Sequence, residues 1–203
     1  MELAIDLGNV IVEVDFDKFF KEFKKVSETD PLNFLYDIQH SQDLGERLTS
    51  LLRWRLRLGE EEIGALIGAW NSAIKPNDEV TQFLNIVIGE GVEVGILSNI
   101  GYEHEEHIWR EHAGIFRGKV LHLSNEVGSR KPTKLYYQSF LLEHPTFRGS
   151  LYIDDRRENL EMAERFGFRG YYFNLEEFKR MGKARRIREL GNIHKLIRNG
   201  DTI

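Results

Sequence analysis

Short apolar runs, each closed by a polar cluster and separated by stretches of helical period, constrain this chain more than any other feature. Glu2-Leu-Ala-Ile-Asp6 reads as a buried strand that carries Asp6 at its C-terminal end, ahead of Gly8. Val92 to Leu97 is a second such strand, followed by Ser98-Asn99. Lys119 to Leu123 is a shorter one, Leu151-Tyr-Ile153 leads into Asp154-Asp155, and Gly170 to Phe173 forms the last. Val10, Val12 and Val14 alternate as a further extended piece. Val80–Ile88, Glu103–Arg110, Leu135–Leu142 and Asn159–Phe166 have helical spacing, with Gly89, Gly91 and Gly167 as terminators. Strands alternating with helices predict an α/β fold with a mostly parallel sheet covered on both faces. Ligands of such sheets sit beyond the carboxyl ends of the strands, where the strand order reverses. Asp6, Ser98 and the Asp154/Asp155 pair are therefore expected along one sheet edge.

Between Phe16 and Trp70 the period is helical throughout. Phe16, Phe19, Phe20 and Phe23 share one helix face, as do Leu48, Leu51, Leu52 and Leu56. Asp30-Pro31 has the form of an N-cap followed by proline at the first helical position. About four helices are predicted here, with the phenylalanine stripe as their core. A chain of 203 residues can bury a sufficient core without staples. It has no cysteine, which excludes disulfides, thiolate metal centres and thiol nucleophiles. No apolar run approaches the ~18–20 residues of a membrane span, and no signal-peptide pattern is visible, so a cytoplasmic protein is expected. The net charge of −5 argues against a dedicated nucleic-acid binder.

The carboxylates define the chemistry. Three of them in one crevice repel each other unless protonated or bridged by a cation. Oxygen ligands without His or Cys suit Mg²⁺, which takes one or two carboxylates, waters and a substrate phosphate. Lys131, after Gly128-Ser-Arg130 and before Pro132, lies on a loop that can reach the same edge. Ser98 and Asn99 supply donors of the kind that hold phosphate oxygens. A carboxylate 4 Å from a phosphate dianion is repelled by about 8 kcal/mol at an effective dielectric of 20. An attacking Asp beside phosphate thus requires both a divalent cation and a lysine, and both are provided for.

Ile5-Asp-Leu-Gly-Asn-Val10, Leu97-Ser-Asn99, Gly128-Ser-Arg-Lys-Pro132 and Tyr152-Ile-Asp-Asp155 resemble, in order, the four motifs of the haloacid dehalogenase (HAD) superfamily. The sugar-phosphatase branch typified by bacterial α-D-glucose-1-phosphate phosphatase is the most similar, and the resemblance spans roughly residues 1–175. It implies a HAD-like Rossmannoid core formed by residues 1–15 and 76–203, with a helical cap of residues 16–75 inserted after the first strand. It implies a Mg²⁺-dependent phosphatase acting on a small phosphate monoester, such as a sugar phosphate, through an aspartyl-phosphate. Asp6 would be the nucleophile and a metal ligand, and Lys131 would neutralise Asp6 and phosphate. Ser98 and Asn99 would hold the phosphoryl group. The Gly8 carbonyl and Asp155 would ligate Mg²⁺, while Asp154 and Asn159 would support the metal and its waters. The family's usual second Asp, which protonates the leaving group, is replaced by Gly8. Asp15 and Glu13 are the candidate substitutes, and general acid catalysis is typically worth 10²–10⁴-fold.

Other features have blander readings. His104, His107 and His112 lack the spacing of a zinc helix, although His104 follows the second motif closely. Lys179 to Arg198 is rich in Lys and Arg and reads as an amphipathic helix packing Ile187, Leu190, Ile193 and Ile197 inward. The alternative function is a catalytically weak HAD-like binding or regulatory module that uses this basic tail. A monomer or homodimer is expected, with a small phosphorylated substrate and neither membrane nor nucleic acid as partner.

Overall fold

The computed structural model describes residues 1–199. The chain begins with β1 (Glu2–Ile5) and β2 (Val12–Val14), then four helices, α1 (Asp17–Val26), α2 (Pro31–Asp43), α3 (Leu48–Leu56) and α4 (Glu60–Asn71). It continues through β3 (Ile74–Pro76), α5 (Asp78–Gly89), β4 (Glu93–Ser98), α6 (Tyr102–Glu111), β5 (Val120–Leu123), α7 (Ser124–Val127) and α8 (Lys134–Glu143). β6 (Leu151–Asp154), α9 (Arg157–Glu164), β7 (Arg169–Tyr172), α10 (Leu175–Arg180) and α11 (Lys183–Asn199) complete it.

Five strands form one parallel sheet in the order β5-β4-β1-β6-β7. The chain builds β4 and β5 on one side of β1 and then crosses to build β6 and β7 on the other. β1 is thus the central strand and the point where the order reverses. Side chains alternate between the faces, as the period of two requires. Leu3, Ile5, Val94, Ile96, Leu151 and Ile153 pack on one face with Phe83, Val87, Ile193 and Ile197. Ala4, Leu97 and Tyr152 pack on the other with Tyr136, Tyr137, Phe140 and Phe147. Both faces are buried, which explains why the strands read as continuous apolar runs rather than alternating ones.

The four inserted helices have a core of their own, built from Phe19, Phe23, Phe34, Ile38, Leu48, Leu52, Leu66 and Trp70. Asp30 caps α2 as its sequence implies, its carboxylate accepting from the amides of Leu32 and Asn33, both at 3.0 Å. The chain enters and leaves this bundle through β2 and β3, which pair antiparallel as a two-stranded ribbon. The extended piece expected from Val10 begins only at Val12. The amides of Val10, Ile11 and Val12 all turn back onto the Leu7 carbonyl, so the alternation of valines there reflects burial in a turn.

The C-terminal segment differs from expectation at one position. Ile193 and Ile197 are buried and Leu190 packs beside them, but Ile187 is 60% exposed. Ile187 instead borders a groove between α11 and α5, with Phe83 and Ile86 across from it. Several cations of this segment are bound to carboxylates of the same chain. Lys179 pairs with Glu13 at 2.7 Å, Arg186 with Glu79 at 2.6 Å and Arg198 with Glu90 at 2.9 Å. Among the described residues no helix is long and apolar enough to cross a membrane.

Gly95 in the middle of β4 is required by packing. A Cβ there would lie 2.8 Å from the Phe147 ring and 3.2 Å from that of Phe140. Gly95→Ala is expected to cost about 1–3 kcal/mol through overpacking. Urea denaturation should show this as a lower midpoint with an unchanged m-value.

Candidate active site

Asp6 follows β1 directly, and its amide still donates to the Ile153 carbonyl at 2.8 Å. The sheet thereby holds its backbone in register while its side chain projects past the strand end. One carboxylate oxygen, Oδ1, accepts from the Leu7 amide at 2.7 Å and from Lys131 Nζ at 2.8 Å. The other, Oδ2, takes no hydrogen bond from the described residues. Asp6 therefore presents one pinned and one free oxygen.

Lys131 is buried, its ammonium ion-paired with Asp6 and hydrogen-bonded to two further groups. Besides Asp6, it donates to Asp154 Oδ2 at 2.7 Å and to the Tyr152 hydroxyl at 2.9 Å. Burial disfavours its charge, but Asp154 and Asp6 outweigh that and hold its pKa above the usual lysine value. Its loop is fixed by Asn99, whose amide donates to the Lys131 carbonyl at 3.0 Å and whose oxygen accepts the Lys131 amide at 2.8 Å. The Asn99 side chain is thus committed to positioning Lys131. Ser98 is buried, its hydroxyl 3.4 Å from the Asn99 carbonyl, and it does not line the cleft described below.

Asp154, at the end of β6, is fully buried. Its Oδ1 accepts from the Arg156 amide at 2.8 Å and Asn159 Nδ2 at 3.0 Å; its Oδ2 accepts from Lys131, Asn159 and the Tyr152 hydroxyl. A carboxylate has about four lone-pair sites, so Asp154 is essentially saturated and acts on the site through Lys131. Asp155 is only half-buried and receives one bond, from Asn9 Nδ2 at 3.2 Å. Asn9 stands in the left-handed region (φ 54°), which asparagine tolerates, and its side-chain oxygen accepts the Val14 amide. It ties the loop after β1 to the loop after β6.

Oxygens of Asp6, Asp154 and Asp155 lie within 4.8 Å of one another. Three carboxylates against one buried ammonium leave two negative charges uncompensated, and a divalent cation would balance them. Burial, with Asp154 and Asp155 adding repulsion against the pull of Lys131, raises the Asp6 carboxyl from 3.8 to about 7. Burial and Asp154 also raise Asp155. An all-oxygen donor set with free sites on Asp6 and Asp155, flanked by the Gly8 backbone, fits Mg²⁺.

These groups floor a cleft of about 250 Å³ between the sheet edge and the inserted helices. Gly8, Asn9, Asn99, Lys131, Asp155, Arg156 and Asn159 line it from the core; Phe16, Leu35, Gln39, Gln42, Asp43 and Trp70 line it from the insertion. Asp43 is buried, 2.9 Å from Arg130 Nη2, and burial outweighs that attraction to raise its carboxyl to about 6. His104 also reaches the cleft, stacked on Trp70 at 4.7 Å. Its Nε2 lies 3.0 Å from the Trp70 carbonyl, which can only accept, so this nitrogen carries the proton. Burial lowers its pKa to about 4, leaving it neutral.

Solved structures share this arrangement of strands. A HAD family enzyme from Bacteroides thetaiotaomicron, crystallised with magnesium and inorganic phosphate, superposes with a TM-score of 0.71 at 21% identity, covering 84% of this chain and 92% of that one. A "predicted HAD-like family hydrolase" from Porphyromonas gingivalis gives 0.70 at 17% identity, covering 98% of both chains. The chain has a HAD-like fold. The L-2-haloacid dehalogenase of Xanthobacter autotrophicus is similar at a TM-score of 0.60 and 14% identity, over 94% of this chain and 82% of that one. No family model matches the sequence.

The HAD-like core therefore brings together Asp6, Gly8, Lys131, Asp154, Asp155 and Asn159 from motifs far apart in sequence. It does not bring Asp15 or Glu13 to the cleft. Asp15 is bound to Lys75 at 2.7 Å, which lowers its pKa, and Glu13 is bound to Lys179. Sequence reasoning did not single out Gln42, Asp43, Trp70 or Arg156. Arg156 adjoins a recognised motif, but the others lie in the insertion, where nothing in the linear pattern distinguishes a cleft-facing residue from a core one.

The raised Asp6 pKa has a defined stability signature. Between pH 4 and 7 the folded state binds a proton at Asp6 that the unfolded state has released, so Asp6's contribution to stability falls as pH rises through this window. In chelator-treated protein, the stability of wild type relative to Asp6→Asn should decline from pH 4.5 to pH 7.5. A flat difference in denaturation midpoints would show that Asp6 titrates normally.

Proposed function

We propose that the protein is a Mg²⁺-dependent phosphatase that hydrolyses a small phosphate monoester, such as a sugar phosphate, through an aspartyl-phosphate. The observation that carries this reading is the half-pinned state of Asp6: Oδ1 is anchored by Lys131 and the Leu7 amide, while Oδ2 is free beside two further carboxylates. The crystallised Bacteroides enzyme, with magnesium and phosphate, supports it at the level of the shared fold.

In this reading Asp6 Oδ2 attacks phosphorus and the P–O bond to the leaving alcohol breaks. A water then attacks the acyl phosphate and restores the carboxylate with release of inorganic phosphate. Lys131 draws Asp6 toward its ionised form and offsets the charge brought by the phosphate, and Asp154, Tyr152 and Asn99 hold Lys131 in place. Asp6, Asp155 and the Gly8 carbonyl would hold Mg²⁺, with Asp154 behind them; when bound, it supplies charge neutralisation for the phosphoryl group. Ser98 is buried outside the cleft, and Asn99 and Lys131 line it where the phosphoryl oxygens would be held. Residues 16–75 serve as the cap that excludes water and contacts the leaving group, over a core of residues 1–15 and 76–203. With Gly8 in place of a second acid, good leaving groups should turn over fastest.

Purified protein should hydrolyse p-nitrophenyl phosphate in the presence of Mg²⁺ and lose activity with EDTA. Asp6→Asn should reduce kcat at least 10³-fold, because the nucleophile itself is removed. Asp155→Asn should raise the Mg²⁺ concentration for half-activity by about tenfold or more, as expected for loss of a charged ligand. Halide release from 2-haloacids without metal, with no phosphate release from a broad ester panel, would instead establish a dehalogenase.

A further inference from the structure

Helices α5 and α11 lie side by side over one face of the sheet and leave an apolar groove between them. Phe83 and Ile86 line it from α5, and Ile187, Leu190 and Gly191 from α11, around a volume of about 350 Å³. On each helix these residues recur three or four apart, so each presents a single face. Phe83 is buried at the floor, whereas Ile86 and Ile187 are 59% and 60% exposed. Ion pairs hold the walls together at both ends. Arg186 grips Glu79 through two bonds of 2.6 and 2.8 Å, and His194 and Arg198 meet Glu90 at 2.6 and 2.9 Å. The groove is therefore preformed, and it shares no residue with the cleft around Asp6.

Its two walls differ in charge. On α5, Gln82 and Ile86 are exposed and neutral, and Glu79 and Glu90 are already paired. α11 carries six Lys or Arg against one Glu, and that Glu189 accepts from the Tyr171 hydroxyl. Lys183, Arg188 and Lys195 are exposed and make no ion pair among the described residues. Lys183 stands at one end of the groove. At about 100° per residue, Ile193 and Ile197 turn from Ile187 toward the core, and Arg188 and Lys195 turn the opposite way. An apolar floor thus borders an unneutralised cationic edge, on a chain whose net charge is −5. A second copy would bring the same cations to the contact, which disfavours it. An occupant with carboxylates beside its apolar residues is favoured instead. The concave channel admits a rod rather than a flat bilayer, and from Lys183 to His194 it runs about 16 Å, or about three helical turns.

We propose that the α5–α11 groove is a docking site for an acidic amphipathic helix of a partner protein. Apolar residues of that helix, spaced i, i+4 and i+7, enter between Ile86 and Ile187, and its flanking Asp or Glu residues meet Lys183, Arg188 and Lys195. The assignment is independent of the phosphatase reading, because none of these residues lines the cleft.

Fluorescence anisotropy tests it with the whole protein and a labelled, end-capped peptide of about 16 residues, long enough to form helix in water. The peptide carries Leu at i, i+4 and i+7 and Glu on the adjoining face. It should bind saturably, and more weakly as salt is added. Ile86→Ser/Ile187→Ser should weaken binding at least tenfold through lost apolar burial. Arg188→Glu/Lys195→Glu should do the same through charge reversal, and should gain affinity for a peptide in which every Glu is Lys. Both double variants replace exposed side chains, so their thermal midpoints should stay near that of wild type. No binding of the acidic peptide at millimolar concentration would overturn the proposal, as would equal binding by wild type and both variants, or equal binding of the Lys peptide to wild type. Two further results would also overturn it, by giving the face to another occupant. One is Ile187-dependent binding to phosphatidylcholine–phosphatidylserine vesicles; the other is a dimer, seen by light scattering, that Ile86→Ser/Ile187→Ser abolishes.

Discussion

The ammonium of Lys131 is the interaction on which the rest of the site depends. It is buried at the carboxyl edge of the sheet and bonded at once to Asp6, Asp154 and the Tyr152 hydroxyl. An isolated buried ammonium would be strongly disfavoured, and so would either buried carboxylate without it. Each therefore stabilises the charged form of the other, and three close partners around one buried ammonium fix their mutual geometry. Asn99 and Asn159 extend this rigidity outward, one by clamping the lysine's backbone and the other by filling the remaining positions on Asp154.

That rigidity is deliberately incomplete in charge. One cation among three carboxylates leaves Asp6 reluctant to ionise, with its carboxyl near 7 rather than near 4. The local structure thus keeps the Asp6 carboxyl oriented while its full ionisation awaits further positive charge. This division of labour explains why Asp154 and Asp155, though adjacent, differ so much. Asp154 ends β6 and points into the buried network, whereas Asp155 stands just beyond and keeps most of its acceptor capacity.

The cleft is bounded by two bodies with separate cores. The sheet edge supplies the charged floor, while the α1–α4 bundle, packed around Phe19, Phe23 and Trp70, supplies the opposite wall. The two-stranded ribbon joins them, together with cross-contacts that include His104 on Trp70, Arg130 on Asp43 and Arg47 on Glu106. The bundle's apolar core is separate from those of the sheet, so the cleft wall it supplies is built from different residues than the charged floor.

Much of this was legible in the linear chain. The apolar runs around Ala4, Ile96 and Tyr152 specified parallel strands because residues buried on both faces leave no polar alternation, and local periodicity is a short-range property. Asp6, Lys131 and Asp154-Asp155 stood out because their motifs lie at strand ends and loops, where a polar residue needs a reason to be. The linear pattern misplaced other features for equally physical reasons. Turn burial at Val10 mimics the alternation of a strand, and the helical period that points Ile187 inward does not encode its exposure at the rim of the α5–α11 groove. The acid candidates Asp15 and Glu13 were near Asp6 in sequence but are held away by Lys75 and Lys179. The strands, the run of helices between β2 and β3, and the polar residues that close the strands follow from patterns within a few residues of each other, so the linear chain carries them. Which oxygen of Asp6 stays free, which aspartate is saturated and which helical residues line the cleft depend on distances between remote segments, and these emerge only once the chain is folded.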